Sequence, residues 1–353
     1  MNAPERTAEL TTERQALYER MRPLGLTPLW EVLHALVPPQ PAVRTRCAHW
    51  RWHDVQPFLD AAGRVISAEE AVRRVLILEN PGWPGASRIT SSLYAGLQLI
   101  LPGEVAPSHR HSQSALRFVV SGHGAFTAVD GERATMAPGD FIITPAWAWH
   151  DHGNDGDEPV VWLDGLDIPT VAFFEAGFAQ NDTRRSQPLQ RAEGASLARY
   201  GSGLLPLDDE RPYGATSPVF CVPYARARAA LAQLAQDTPA DAHFGTALRY
   251  TNPQTGGPPM PTIGAWLQML AAGSSTQPWR STAGTVYSVV EGHATATLRR
   301  DDQVQRFELA PKDHFVLPPW HTLSLRADDA CVLFAYDDAP LQRAAGLYRQ
   351  ERL

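Results

Sequence analysis

The chain has 353 residues, 44% of them hydrophobic and 20% charged, and carries a formal net charge of −7. That length exceeds one ordinary hydrophobic core, so two core units or one repeated unit are expected, with no extended disorder beyond the termini. Negative charge without any Lys/Arg-rich stretch argues against nucleic acid as a partner, and no apolar run reaches the length of a membrane span.

The first residues, "MNAPERTAEL", lack the apolar core of a secretory signal, and Cys47, Cys221 and Cys331 are isolated and odd in number. Both features point to a reduced, cytoplasmic setting. Residues 12–36 carry apolar positions at three-to-four spacing, broken by Pro23 and Gly25, which predicts two short helices joined by a turn. From about residue 88 the texture changes to short β-branched and aromatic runs, "LYAGLQLIL", "LRFVVSG", "GAFTAV", "FIITP" and "PVVWLDGL", divided by turn residues. These read as strands of an antiparallel sandwich or barrel. A helical pattern returns at 225–236, and "APLQRAAGLYRQERL" predicts a last helix.

An internal repeat organises the rest. Val119-Val120 and Gly122 recur as Val289-Val290 and Gly292, while Ala137-Pro138, Asp140, Pro145 and Trp147 recur as Ala310-Pro311, Asp313, Pro318 and Trp320. The expected organisation is an N-terminal helical arm with lead-in strands over 1–87, a barrel over 88–178, a linker with a helix over 179–245, a second barrel over 246–338 and a C-terminal helix over 339–353. The fold class is mainly β, two antiparallel jelly-roll barrels with N-terminal, linker and C-terminal helices.

"HRHSQSALRF" carries the chemistry. Alternate residues of a strand face one side, so His109 and His111 can hold one ion together, and His150 from a later strand can supply a third nitrogen. Three imidazoles leave coordination positions open, as a catalytic site requires. Such donors suit iron, zinc, copper or nickel; the need for open sites and oxygen chemistry favours iron(II). In the second repeat Trp279, Ser281 and Leu323 take the places of His109, His111 and His150, so that unit should bind no metal. His321 falls opposite Ala148 and is not a relic ligand.

The spacing from Gly103 through His109, His111 and Ala115 to Gly122 resembles the first cupin motif, with Ala115 where most cupins carry glutamate. The spacing from Gly139 through Pro145, Trp147 and His150 to Asn154 resembles the second, with Trp147 in place of its glycine. The two barrels then make a bicupin. With "ENPGWPGASRIT", "TAVDGERATMAPGDFIITPAWAWHDHGN" and "PVVWLDGLDIP", the chain resembles the gentisate 1,2-dioxygenases of the bicupin ring-cleaving dioxygenases, a group that includes salicylate 1,2-dioxygenase and 1-hydroxy-2-naphthoate dioxygenase.

The resemblance implies an Fe(II) enzyme, with O2 as co-substrate, that binds a small aromatic carboxylic acid and inserts both oxygen atoms between its carboxyl- and hydroxyl-bearing carbons. Gentisate would give maleylpyruvate. It also implies a homotetramer. Arg117 is the expected carboxylate ligand, with Arg73 favoured over Arg74 as its companion. His152 shares the parity of His150 and is expected to meet the substrate hydroxyl or bound oxygen, although a histidine satisfied by backbone groups is equally in keeping with the residues alone. Tyr94 and Gln98 resemble pocket positions but could equally be packing residues. Asp164 is the candidate for reading the 5-hydroxyl of gentisate, with Asp167 in reserve. Trp83 departs from the smaller residue expected after "NPG". Salicylates and hydroxynaphthoates remain alternative substrates, and a non-catalytic aromatic-acid binder is the alternative from another class.

Overall fold

The computed structural model describes residues 3–204, 207 and 214–353. The chain divides into two units, Met1–Ala42 and Val43–Leu353. In the first, helix Ala3–Met21 runs into a 3-10 turn at Arg22–Leu24, Gly25 takes a left-handed φ of 67°, and a second helix spans Leu29–Leu36. Tyr18 links the two helices by donating to Glu31 and accepting from Trp30 Nε1. Two helices joined by a turn were expected within 12–36; the first starts earlier, at Ala3.

The second unit holds four antiparallel sheets, two to a barrel. In the first barrel, the sheet built around Ala115–Ser121, Val160–Leu166 and Tyr94–Ile100 faces one built around Val105–His111, His150–Asn154 and Ala125–Val129. The second barrel repeats the plan with Thr285–Glu291, Cys331–Asp337 and Gly264–Leu270 facing Trp279–Ser281, Thr322–Ala327 and Ala294–Arg300. The larger sheets of the two barrels pack on each other, with Phe118 and Phe334 stacked at 4.0 Å and Leu116, Leu163, Leu267 and Val286 around them. Strands buried on both faces have no polar side to show, which is why "ALRFVV" is apolar at every position but Arg117.

The halves exchange elements reciprocally. Ala48–Trp50, which precedes the first barrel, pairs with His314–Leu317 of the second, and Cys221–Val222, which precedes the second, pairs with Phe141–Thr144 of the first. The helices that follow start on matching aspartates: Trp52 N donates to Asp313 at 2.7 Å, and Tyr224 N donates to Asp140 at 2.8 Å. Each barrel ends in a short helix whose N-terminal aspartate accepts a hydroxyl from the other half. Thr262 donates to Asp167 and Ser92 to Asp338, both at 2.6 Å. Within their own halves the same aspartates cap Ser114 N and Gly284 N.

The C-terminal segment corrects an expectation. Only Ala339–Ala344 is helical, and Gln350–Arg352 returns as a strand beside Trp279–Ser281. Residues 168–181 do the same in the first barrel, where helix Ile168–Phe173 leads to strand Ala179–Asn181 beside His109–His111. Gln350-Glu351-Arg352 and Ala179-Gln180-Asn181 are short and carry no apolar alternation, so nothing in their own residues marks them as strands.

Asp337, next to Asp338, has its carboxyl pushed up to about 7 by burial and by the neighbouring charge. The folded chain holds this proton more tightly than an unfolded aspartate, whose value is about 3.9. The resulting stability is therefore present below that range and is lost as pH rises through 7. Melting curves at pH 5 and pH 8 should show a drop that Asp337→Asn reduces by roughly 2 °C.

Candidate metal centre

Antiparallel pairing puts His109 directly opposite His150. A bulge between Ala106 and His109 shifts the register at that point, and His111 follows on the same face two residues later. The ring centroids stand 4.1 Å (His109 to His150), 4.8 Å (His111 to His150) and 5.3 Å (His109 to His111) apart, with one nitrogen from each ring within 4.8 Å of the others.

Two of the rings are oriented by backbone carbonyls. His111 Nδ1 donates to Gln113 O at 2.9 Å and His150 Nδ1 donates to Ala148 O at 3.0 Å, which fixes the tautomer and leaves each Nε2 lone pair for a ligand. His150 Nε2 is fully buried and has no protein partner. Burial, with Arg73 and Arg117 nearby, presses His109 down to about 3 and His111 to about 4, and holds His150 well below its ordinary range. All three are neutral at pH 7, as metal donors must be. A buried orphan nitrogen beside two oriented neutral imidazoles fits a transition-metal ion.

Arg73 reaches the same cluster. Its Nη2 donates to His109 Nδ1 and, at 2.8 Å, to Pro107 O. An ion taking the His109 Nδ1 lone pair would displace this guanidinium; one taking Nε2 would require a proton on Nδ1, which would repel it. Arg74 points elsewhere, held by both oxygens of Glu104 and by Ile66 O.

Arg117 is 4% exposed, donates to Thr144 Oγ1 at 2.5 Å and stands 3.5 Å from Asp164. Arg117 lies past a turn at 112–114 from His111, on a separate strand, Ala115–Ser121. What faces it inward is its own strand, where it sits opposite Asp164. Burial pushes the Asp164 carboxyl up to about 6 against the pull of Arg117 and of the Trp162 Nε1 bond at 3.0 Å. His152, buried among these cations, is held neutral, and its Nδ1 is paired with Thr127 Oγ1 at 2.9 Å. Gln98 is buried opposite Trp162 and lines a crevice with Arg73; the Tyr94 hydroxyl lies over Gly96, the residue opposite Asp164.

Asp167 does not join the group, because both its oxygens are spent on Ser114 and Thr262. Trp83 is held by Thr45 and lies between the guanidiniums of Arg44 and Arg88, among the lead-in loops. Three supporting residues escaped sequence reasoning: Thr127, Thr144 and Trp162. Their signal was parity, since Trp162 precedes Asp164 by two on one strand face.

In the second barrel the counterparts superpose by hydrogen bonding. Trp147 N donates to His111 O and Trp320 N to Ser281 O, and Trp279 faces Leu323 as His109 faces His150. Trp147 and Trp320 both take left-handed φ, 64° and 59°, at the position where the cupin motif has glycine.

Residues 96–166 match the family model of the Cupin domain. The chain is 49% identical to a gentisate 1,2 dioxygenase of Aquipseudomonas alcaligenes over 97% of each chain. It is 34% identical to a 5-aminosalicylate 1,2-dioxygenase of Comamonas sp, covering 99% of this chain and 92% of that one. Among solved structures, a salicylate 1,2-dioxygenase of Pseudoaminobacter salicylatoxidans, in its adducts with gentisate, aligns with a TM-score of 0.89 at 33% identity, over 96% of this chain and 94% of that one.

Calorimetric titration of the metal-free chain with a divalent transition metal should show one ion bound per chain, and His150→Ala should lose more than about 100-fold in affinity.

Proposed function

We propose a reaction from one premise: the chain belongs to the gentisate 1,2-dioxygenase family of ring-cleaving cupin dioxygenases. The reading is that it cleaves gentisate between the carboxyl- and hydroxyl-bearing carbons, in the extradiol manner, to give maleylpyruvate. The observation that carries it is the neutral three-histidine cluster with two guanidiniums beside it, Arg117 buried and Arg73 half-buried, an arrangement made for an anion that also ligates a metal.

His109, His111 and His150 would hold Fe(II), which when bound supplies open positions for the chelating substrate and for O2. The residues of the chain do the rest. Arg117 and Arg73 take the substrate carboxylate, and the burial of Arg117 strengthens its charge-assisted bond. Thr144 and Asp164 hold Arg117 in place from two sides. His152, neutral and oriented through Thr127, offers Nε2 to the substrate hydroxyl and can accept its proton. Asp164 presents a carboxylate oxygen to the 5-hydroxyl, with Trp162 fixing its other oxygen. Tyr94 and Gln98 complete the wall behind the ring. Homotetrameric assembly and a cytoplasmic setting belong to the same reading; no helix among the described residues is long and apolar enough to cross a membrane.

The test is oxygen uptake and ultraviolet change by the anaerobically iron-loaded protein given gentisate or salicylate. Uptake with gentisate is expected, and no uptake with either acid would overturn the reading. Arg117→Met should lower kcat/KM by about 100-fold, the scale of one buried bidentate ion pair. Asp164→Asn should cost gentisate about tenfold more than salicylate, one hydrogen bond to a charged group being worth about 1.5–3 kcal/mol.

A further inference from the structure

The interface between the barrels has a local two-fold symmetry, and one departure from it reaches the pocket. The hooks from Thr262 to Asp167 and from Ser92 to Asp338 are mirror copies at equal length. So are the helix starts on Asp140 and Asp313. The residue equivalent to Tyr336, however, is Gly165, since Asp164 faces Arg117 as Ala335 faces Tyr287. These two equivalent residues touch. A Cβ at Gly165 would come within 2.8 Å of the Tyr336 ring, so only glycine leaves room for it.

Tyr336 is fully buried, and its hydroxyl donates to the carbonyl of Tyr94 at 2.9 Å. No equivalent bond runs the other way, because Gly165 has no side chain to donate to Gly264, the counterpart of Tyr94. The asymmetric bond lands on the pocket wall. Gly165 follows Asp164 directly, and Tyr94 lies over Gly96, which pairs with Asp164.

We infer that Tyr336, a residue of the metal-free barrel, is a positioning residue that sets Tyr94 and the Asp164 strand against the substrate ring and so governs which hydroxybenzoate is preferred. The inference rests on the proposed gentisate pocket. Its physical content is that a buried hydrogen bond to a backbone carbonyl at the start of the Tyr94–Ile100 strand fixes where that strand begins, and the Tyr94 side chain moves with it.

The experiment compares binding of gentisate and salicylate to the iron-loaded protein without oxygen, read by tryptophan fluorescence. Tyr336→Phe keeps the ring and removes only the bond. It should weaken gentisate about fivefold while salicylate stays within about twofold, the loss of one buried hydrogen bond acting through position. Thr262→Val, which removes one of the symmetric hooks, should lower the melting temperature without moving that ratio. Equal weakening of both acids, an unchanged ratio in Tyr336→Phe, or an equal shift in Thr262→Val would each overturn the inference. Because binding is read without turnover, an enzyme that binds gentisate but consumes no oxygen would defeat the proposed reaction and leave this inference to be judged on its ratio. Binding of neither acid by the wild type would overturn both.

Discussion

Everything at the metal centre depends on one register. His109 pairs with His150 across two antiparallel strands, and a slip of one residue would turn the whole set of ligands to the opposite face of the sheet. The bulge between Ala106 and His109 is where that register is set. Once it is set, burial makes the rings neutral, and the carbonyls of Gln113 and Ala148 take the protons on the nitrogens that must not ligate. The guanidiniums of Arg73 and Arg117 add to this, since a second positive charge would be costly beside either. A cluster that resists protonation and sits next to cations is poised for a dianionic chelating ligand as much as for a metal.

The second barrel shows what the same scaffold becomes when that chemistry is absent. Trp279, Ser281 and Leu323 occupy the ligand positions, Tyr287 stands for Arg117, and Tyr287 stacks on Phe315 at 4.6 Å. The lumen is filled with aromatic and aliphatic side chains, a core in place of a site. Its sheet still provides half of the packing surface between barrels, so the unit is structural in the sense that the first barrel's larger sheet would otherwise face water with Leu116, Phe118 and Leu163.

Much of this was legible in the sequence. Alternation in "HRH", the distance to His150 and the recurrence of "VVSGH" as "VVEGH" located the histidine strand, its partner and the repeat in which Trp279, Ser281 and Leu323 stand in their places, because strand periodicity and turn residues are local properties. What was not legible is what crosses between distant segments. Asp167 looked like a pocket acid because it sits near Asp164 in sequence, yet one of its oxygens is taken by Thr262 of the other barrel and the other by Ser114 N. Arg73 and Arg74 are adjacent and chemically alike; only Glu104 and Ile66 decide that one is structural. The exchanged strands at Ala48–Trp50 and Cys221–Val222 are too short to announce a partner.

That exchange carries a consequence for how the chain arose. Each half gives the other a strand, a hydroxyl for its terminal helix and an aspartate for its leading one, and each of these three contacts is matched by its reverse. Reciprocity of this kind is the signature of an isologous dimer, here made covalent by the segment over 182–220. In two identical subunits any substitution on the shared face is felt twice, once in each direction. After fusion each copy mutates alone, and a glycine on one side can meet a tyrosine on the other, as Gly165 meets Tyr336. A barrel without the three histidines keeps its place in the fold, and its side of the shared face is free to differ from its partner's.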